Sequence, residues 1–144
     1  MKVSDLLHRK GVEVAVITPD ATLTDAASVL AVRRIGALVV SADSVAIDGI
    51  ISERDIVRHV AEEGAAALTA TVASVMTSAV RTCSRTDLVE DLMGVMTDNR
   101  IRHLPVETDG RLDGIVSIGD VVKLRVEALE AERQALTDYI QTGR

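Results

Sequence analysis

Residues 47–58 read IDGIISERDIVR and residues 112–123 read LDGIVSIGDVVK. Each copy runs Asp-Gly, two β-branched residues, Ser, two variable positions and Asp. Gly49 to Asp55 matches Gly114 to Asp120 at an offset of 65 residues at both ends. Asp-Gly is a turn signal, the β-branched pair suits a short buried strand, and Ser-x-x-Asp is a capping box that opens a helix. The chain is therefore built from two copies of one unit, and such units bury their cores by packing on one another.

The repeat extends outward from this phrase. Val3-Ser4-Asp5-Leu6-Leu7 corresponds to Val72-Ala73-Ser74-Val75-Met76, and both read as short helices. Leu23, Ala26, Ala27 and Leu30, and in the second copy Val89, Leu92, Met93 and Met96, fall on one helical face. Thr22 with Asp25, and Asp87 with Glu90, supply cap-like starts. The runs 35–40 and 101–106 read as strands, and polar turns follow at 41–48 and 107–113, the second containing the hairpin signal Asp109-Gly110. Each half thus predicts helix, strand, helix, strand, strand, helix. The expected organisation is a first repeat at 1–62, a linker at 63–70, a second repeat at 71–126 and a helical tail at 127–144. Neither half is large enough to be stable alone, so the two are expected to pack face to face. The last helix carries an interrupted apolar stripe of Val122, Val126, Leu129, Leu136 and Ile140, with Arg133 in one slot. Such a stripe calls for a partner surface, and self-association is the expectation.

Composition narrows the function. The chain has 144 residues, of which 47% are hydrophobic, so it is a globular protein. It has no Trp, no Phe and one Tyr, and its formal charge is −6. A phosphate backbone is repelled, and the aromatic platforms that stack single-stranded bases are missing; neither nucleic acid nor an anionic membrane is an expected partner. Cys83 is the single cysteine, so no internal disulfide forms. The start MKVSDLLHRK does not read as a signal peptide, and no apolar run reaches membrane-spanning length. A cytoplasmic location is expected. His8, His59 and His103 are scattered, so no metal site is expected, and no nucleophile–base set or phosphate-loop lysine motif points to an enzyme.

The pieces MTDNRIRHLPV at 96–106, GIVSIGD at 114–120 and GIISERD at 49–55, in this order and repeated, resemble a tandem pair of cystathionine-β-synthase (CBS) domains, the Bateman module. The resemblance covers nearly the whole chain. It implies an α+β fold of two βαββα-type repeats packed through their sheets with pseudo-two-fold symmetry, followed here by a long C-terminal helix. It also implies two clefts for adenosine-containing ligands, a homodimer, and regulation of an unidentified partner protein. AMP is the first expected ligand, with NAD, ADP and ATP next and no cofactor required. The alternative is a structural dimerisation module with vestigial clefts.

By the same resemblance, Asp55 and Asp120 each hold a ribose through its two hydroxyls, and Ser52 and Ser117 approach ribose or phosphate. Thr18 and Thr82 lie near the ligand. Ile35, Gly36 and Ala37, with Ile101, Arg102, His103 and Pro105 in the second copy, supply the walls and backbone contacts of the base. On residue chemistry alone, Ser-x-x-Asp needs no ligand, because capping accounts for it. The copies differ in charge: Arg54 has Gly119 as its counterpart, while Arg102-His103 replace Gly36-Ala37. Arg54, Arg102 and His103 are expected to converge on one shared anion-binding region, favouring one dominant nucleotide.

Overall fold

The computed structural model describes residues 1–143; Arg144, the last residue of the expected tail, lies outside them. The elements run α1 (Val3–Lys10), β1 (Val16–Ile17), α2 (Leu23–Arg33), β2 (Ala37–Val40), β3 (Gly49–Ser52) and α3 (Glu53–Glu63) in the first half. A 3-10 helix (Gly64–Thr69) joins the halves, burying Ala67 where the sequence showed no pattern. The second half has α4 (Val72–Val75), α5 (Val89–Asn99), β4 (His103–Thr108), β5 (Arg111–Ser117) and α6 (Ile118–Thr142). The expected α+β architecture of two repeats and a long last helix is what forms.

In the first sheet β1 runs parallel to β2, and β2 is antiparallel to β3, with Ala37 opposite Ser52 and Val40 opposite Gly49. In the second, β4 and β5 form a hairpin with His103 opposite Ser117. Asp109 and Gly110 both take positive φ, as the Asp-Gly signal predicts. The expected first strand of the second half shrinks to a single parallel bridge from Cys83 to Val106. The reason is local: Arg81-Thr82-Cys83-Ser84 lacks the apolar pair that Val16-Ile17 provides.

Two further expectations shift. Strands β2 and β4 begin at Ala37 and His103, two residues after the sequence reading placed them. Arg34 (φ 55°) and Arg100 (φ 53°) end α2 and α5 in the left-handed conformation, and the chain turns before extending. Thr22 and Asp25 form the expected capping box, but Asp87 does not cap α5. Its carboxylate accepts from the Ser84 amide at 2.8 Å, while Glu90 takes the N-terminal amino group of Met1 at 2.7 Å.

Each core is completed by the other half's first helix. Val3, Leu6 and Leu7 of α1 sit with Val89, Leu92, Met96, Leu104, Val106 and Val116 of the second repeat. Val72 of α4 sits with Leu23, Leu30, Leu38, Val40 and Ile51 of the first. The two crossed helices are tied in by backbone bonds, Val3 N–H to Asp87 O at 2.9 Å and Val72 N–H to Ala21 O at 2.7 Å. Leu38 and Val40 point into this core, yet Ala37 and Val39 on the opposite face of β2 are buried too. Pro105, between the core residues Leu104 and Val106, is likewise buried. Both faces of each sheet are thus covered, one by helices and one where the repeats meet.

The two repeated glycines explain how the exchanged helices seat. A Cβ on Gly49 would lie 2.5 Å from Met76 Sδ and 2.9 Å from the Thr77 carbonyl oxygen; one on Gly114 would lie 2.8 Å from Leu7 Cδ2. In both repeats the strand is bare at this point, the first residue of β3 and a mid-strand residue of β5, so that the first helix of the other half can close on it. Helix α6, by contrast, does not fold back over its stripe: Val126, Leu136 and Ile140 are 47%, 63% and 74% exposed.

Candidate nucleotide site between the repeats

The two Ser-x-x-Asp motifs fold as read. Ser52 caps α3: its Oγ accepts from the Asp55 amide at 3.3 Å, and Asp55 Oδ2 accepts from the Ser52 amide at 2.8 Å. Ser117 caps α6 in the same way, with Asp120 Oδ2 accepting its amide at 2.9 Å. Each box fixes its carboxylate at the mouth of a helix, where the free amides make the potential positive.

Asp55 faces a cavity of about 370 Å³ between the repeats, a size suited to a small organic ligand. Its walls come from both halves: Gly36, Ala37, Ile50, Ser52, Glu53, Arg54, Asp55 and Arg58 from the first, and 77, 79–81 and 99–103 from the second. Asp55 Oδ1 lies 4.0 Å from the nearest guanidinium nitrogen, on Arg58. The apolar wall is aliphatic, from Ile50, Val80 and Ile101. Five arginines, Arg54, Arg58, Arg81, Arg100 and Arg102, reach the cavity along with His103. Against them stand Glu53 and Asp55, so the chamber is cationic inside a chain that is acidic as a whole.

Of the residues singled out from the sequence, Gly36, Ala37, Ser52, Arg54, Asp55, Ile101, Arg102 and His103 meet in this cavity. Arg54, Arg102 and His103 line the same cavity. Thr18, Ile35, Thr82, Pro105, Ser117 and Asp120 do not line it. Thr18 and Thr82 are exposed, the latter next to Arg81. Ile35 borders a separate depression beside α2 and α3, and Pro105 is buried within β4.

Several wall residues escaped the sequence reading. Arg58 follows Arg54 by four positions on α3, a spacing that puts both on one face and could have flagged it. Thr77, Ala79, Val80 and Arg81 arrive through the helix exchange, which leaves no local signal. Arg100 reaches the cavity from the left-handed cap that ends α5.

His103 approaches Gly36 so closely that its Cε1 would lie 3.2 Å from a Cβ there. Burial pushes its imidazole below the ordinary histidine value; Glu53 opposes that, Arg102 adds to it, and Asp120 and Lys10 make smaller opposite contributions. Burial therefore favours the neutral imidazole, a hydrogen-bonding group. Asp120 is engaged elsewhere: its Oδ2 accepts from Lys10 Nζ at 2.5 Å. Burial works to raise its carboxyl but is outweighed by the hydrogen bonds from Lys10 and Ser117, which hold it below the usual range.

Cys83 is packed in the second core, and burial, aided by Asp87, pushes its thiol up to about 12. Among the described residues no group of three or more His, Cys, Asp or Glu could hold a metal ion. No described helix is long and apolar enough to cross a membrane.

Comparison with known proteins agrees with this architecture. The CBS domain matches at residues 3–62 and again at 72–127. The mitochondrial CBS domain-containing protein CBSX3 of Arabidopsis thaliana is 38% identical, over 98% of this chain and 72% of its own length. The crystal structure of a CBS-domain containing protein from Agrobacterium tumefaciens is 48% identical with a TM-score of 0.83, covering 87% of this chain and 99% of that one. A CBS domain protein from Pyrobaculum aerophilum, solved in complex with AMP, is 30% identical with a TM-score of 0.71, covering 83% and 89%. With the motif found twice and the fold shared from end to end of such relatives, this chain belongs to the CBS-domain family as a tandem pair.

Proposed function

We propose that this chain is a regulatory module that binds an adenosine nucleotide in the cavity at Asp55, and that it performs no chemistry itself. The observation that carries the reading is the pairing, in one cavity, of a capped carboxylate with five arginines and an aliphatic wall. A carboxylate accepts the two hydroxyls of a ribose, aliphatic groups sandwich a purine, and guanidinium groups pair with phosphate. Capping by Ser52 holds Asp55 Oδ2, while Oδ1 accepts no hydrogen bond and has the Arg58 guanidinium 4.0 Å away.

AMP is the first choice of ligand, supported by the AMP complex of the Pyrobaculum protein. NAD, ADP and ATP follow, since the cationic chamber accommodates more than one phosphate. The exposed stripe on α6 supports a homodimer, and the regulated protein docks on that assembly. Ligand binding ties the two repeats together and so shifts the population of conformers that the partner reads. A cytoplasmic location, with no nucleic-acid or membrane partner, completes the proposal.

The test is thermal unfolding of the wild type and of Asp55→Asn with AMP, ADP, ATP, NAD and S-adenosylmethionine. A ligand at 100 times its dissociation constant adds about 2.7 kcal/mol, a rise of roughly 5–11 °C for a chain of this size. Asp55→Asn retains an acceptor for the cap and loses the charge, so the ligand shift falls while the ligand-free midpoint changes little. No shift with any adenosine compound refutes the proposal and leaves the structural dimerisation module standing.

A further inference from the structure

The two repeats carry the same Ser-x-x-Asp motif, but only one of the two carboxylates is left for a ligand. In the first repeat Asp55 faces the cavity. In the second, Lys10 at the end of α1 reaches across and donates to Asp120 Oδ2 at 2.5 Å and to the Ile115 carbonyl oxygen at 2.9 Å. One ammonium therefore spans the edge of β5 and the mouth of α6. A second ion pair, from Arg9 Nη2 to Glu127 Oε2 at 3.2 Å, fastens the same end of α1 to α6.

The first repeat has no equivalent of this contact. Aligning Val3–Leu7 with Val72–Met76 places Ala79 where Lys10 stands, and Ala79 is part of the cavity wall. Helix α4 also ends at Val75, short of the length of α1, so the chain beyond it extends along β3. There the Thr77 backbone amide satisfies the Ile50 carbonyl at 2.9 Å, the counterpart of the Ile115 carbonyl that Lys10 takes. A methyl and a backbone strand leave the first carboxylate open; a lysine covers the second.

We infer that Lys10 is the residue that sets how many adenosine ligands the chain holds: it occupies Asp120 from within, so one site per chain is open instead of two. This rests on the nucleotide reading of the Asp55 cavity. It assigns the asymmetry to a single side chain of α1 and not to the unequal share of arginines. A ribose approaching Asp120 must displace a charged hydrogen bond that is held in place at both ends.

The experiment is isothermal titration calorimetry with AMP, per chain, on the wild type, Asp120→Ala, Lys10→Met and Lys10→Met combined with Asp55→Ala. Methionine keeps the apolar stem and removes the ammonium; thermal unfolding and chromatographic elution verify that each variant is folded. The expected result is a stoichiometry of one for the wild type, unchanged by Asp120→Ala, and two for Lys10→Met. The combined variant returns to one, with the remaining site at Asp120. A wild-type stoichiometry of two overturns the inference alone. So does a Lys10→Met stoichiometry that stays at one and falls to zero when Asp55→Ala is combined with it. No heat from any variant, with AMP or with ADP, ATP or NAD in its place, rejects the nucleotide reading itself and the inference with it.

Discussion

Gly49→Ala tests the helix exchange and the cavity wall together. The new methyl would stand 2.5 Å from Met76 Sδ and 2.9 Å from the Thr77 carbonyl oxygen. The sulfur ends a flexible side chain and can move; the carbonyl is backbone. Thr77 is held to β3 by two bonds, Ile50 N–H to Thr77 O at 3.0 Å and Thr77 N–H to Ile50 O at 2.9 Å. Relief of the contact strains or breaks that bridge, each bond worth about 1 kcal/mol net, while crowding a packed site costs about 1–3 kcal/mol. With both bonds lost the sum is about 3–5 kcal/mol out of a total stability of about 5–15 kcal/mol. Gly94 provides the opposite control. It lies within α5, and a Cβ there meets nothing within 4 Å, so Gly94→Ala gains about 0.5–1 kcal/mol. Urea denaturation with a common slope reads both. Ile50 and Thr77 also wall the cavity, so Gly49→Ala should lose AMP stabilisation that Gly94→Ala keeps. If Gly49→Ala comes within about 0.5 kcal/mol of the wild type, the limit for an uneventful surface change, the account of α4 closing on a bare strand start is wrong.

The remaining predictions concern reactivity, acid stability and assembly. With its thiol pushed up to about 12 and packed in the second core, Cys83 should not react with Ellman's reagent at pH 8 in the native state, and one thiol should appear in denaturant; prompt native labelling contradicts the packing. Arg85 Nη2 donates to Asp113 Oδ1 at 2.9 Å and Arg85 Nε to Asp113 Oδ2. These bonds and one from Thr108 hold the Asp113 carboxyl at about 2, below its ordinary 3.8. A depressed folded value means stability that is present above pH 3.8 and lost as pH falls toward 2. Arg85→Met should therefore lower the midpoint at pH 7 by more than at pH 2.5, and an equal drop at both would remove the ion pair from the account. On α6, Leu136 and Ile140 are 63% and 74% exposed. Replacing both by Glu should convert a dimer to a monomer in light scattering, whereas a wild type already monomeric at high concentration disposes of the proposed homodimer.

The pattern of what the sequence disclosed follows from the range of the forces involved. The capping boxes at Ser52 and Ser117, the Asp109-Gly110 hairpin and the apolar faces of α2 and α5 are local, and each is legible within a dozen residues. The left-handed caps at Arg34 and Arg100 are local as well, but arginine does not announce a positive φ as glycine does, so the strand starts at 37 and 103 were placed two residues early. Asp87 looked like a cap because the sequence does not say that the Ser84 amide competes for its carboxylate. The residues that complete the cavity, Thr77, Ala79, Val80 and Arg81, are fixed by a core that joins positions some fifty residues apart, such as Val72 with Leu23. Nothing within either copy states which core its first helix enters.

That exchange did leave one trace, in the phrase that revealed the repeat. Gly49 and Gly114 are preserved between two copies that otherwise differ at many positions; Gly114 takes φ 153°, which by itself favours glycine, but Gly49 has an ordinary φ. What both need is room for a helix from the other half: Met76 on Gly49, Leu7 on Gly114. The same crossing that builds the two cores brings the end of α1 to Asp120 and brings Ala79, beyond the end of α4, into the cavity that Asp55 lines. Because α1 runs on to Lys10 whereas α4 stops at Val75, one crossing delivers an ammonium and the other a methyl. Two copies of one unit thereby present different faces to solvent, without any change in the strand, cap and carboxylate that they share. The difference between the two carboxylates resides in the length and last residues of the helix each half lends to the other.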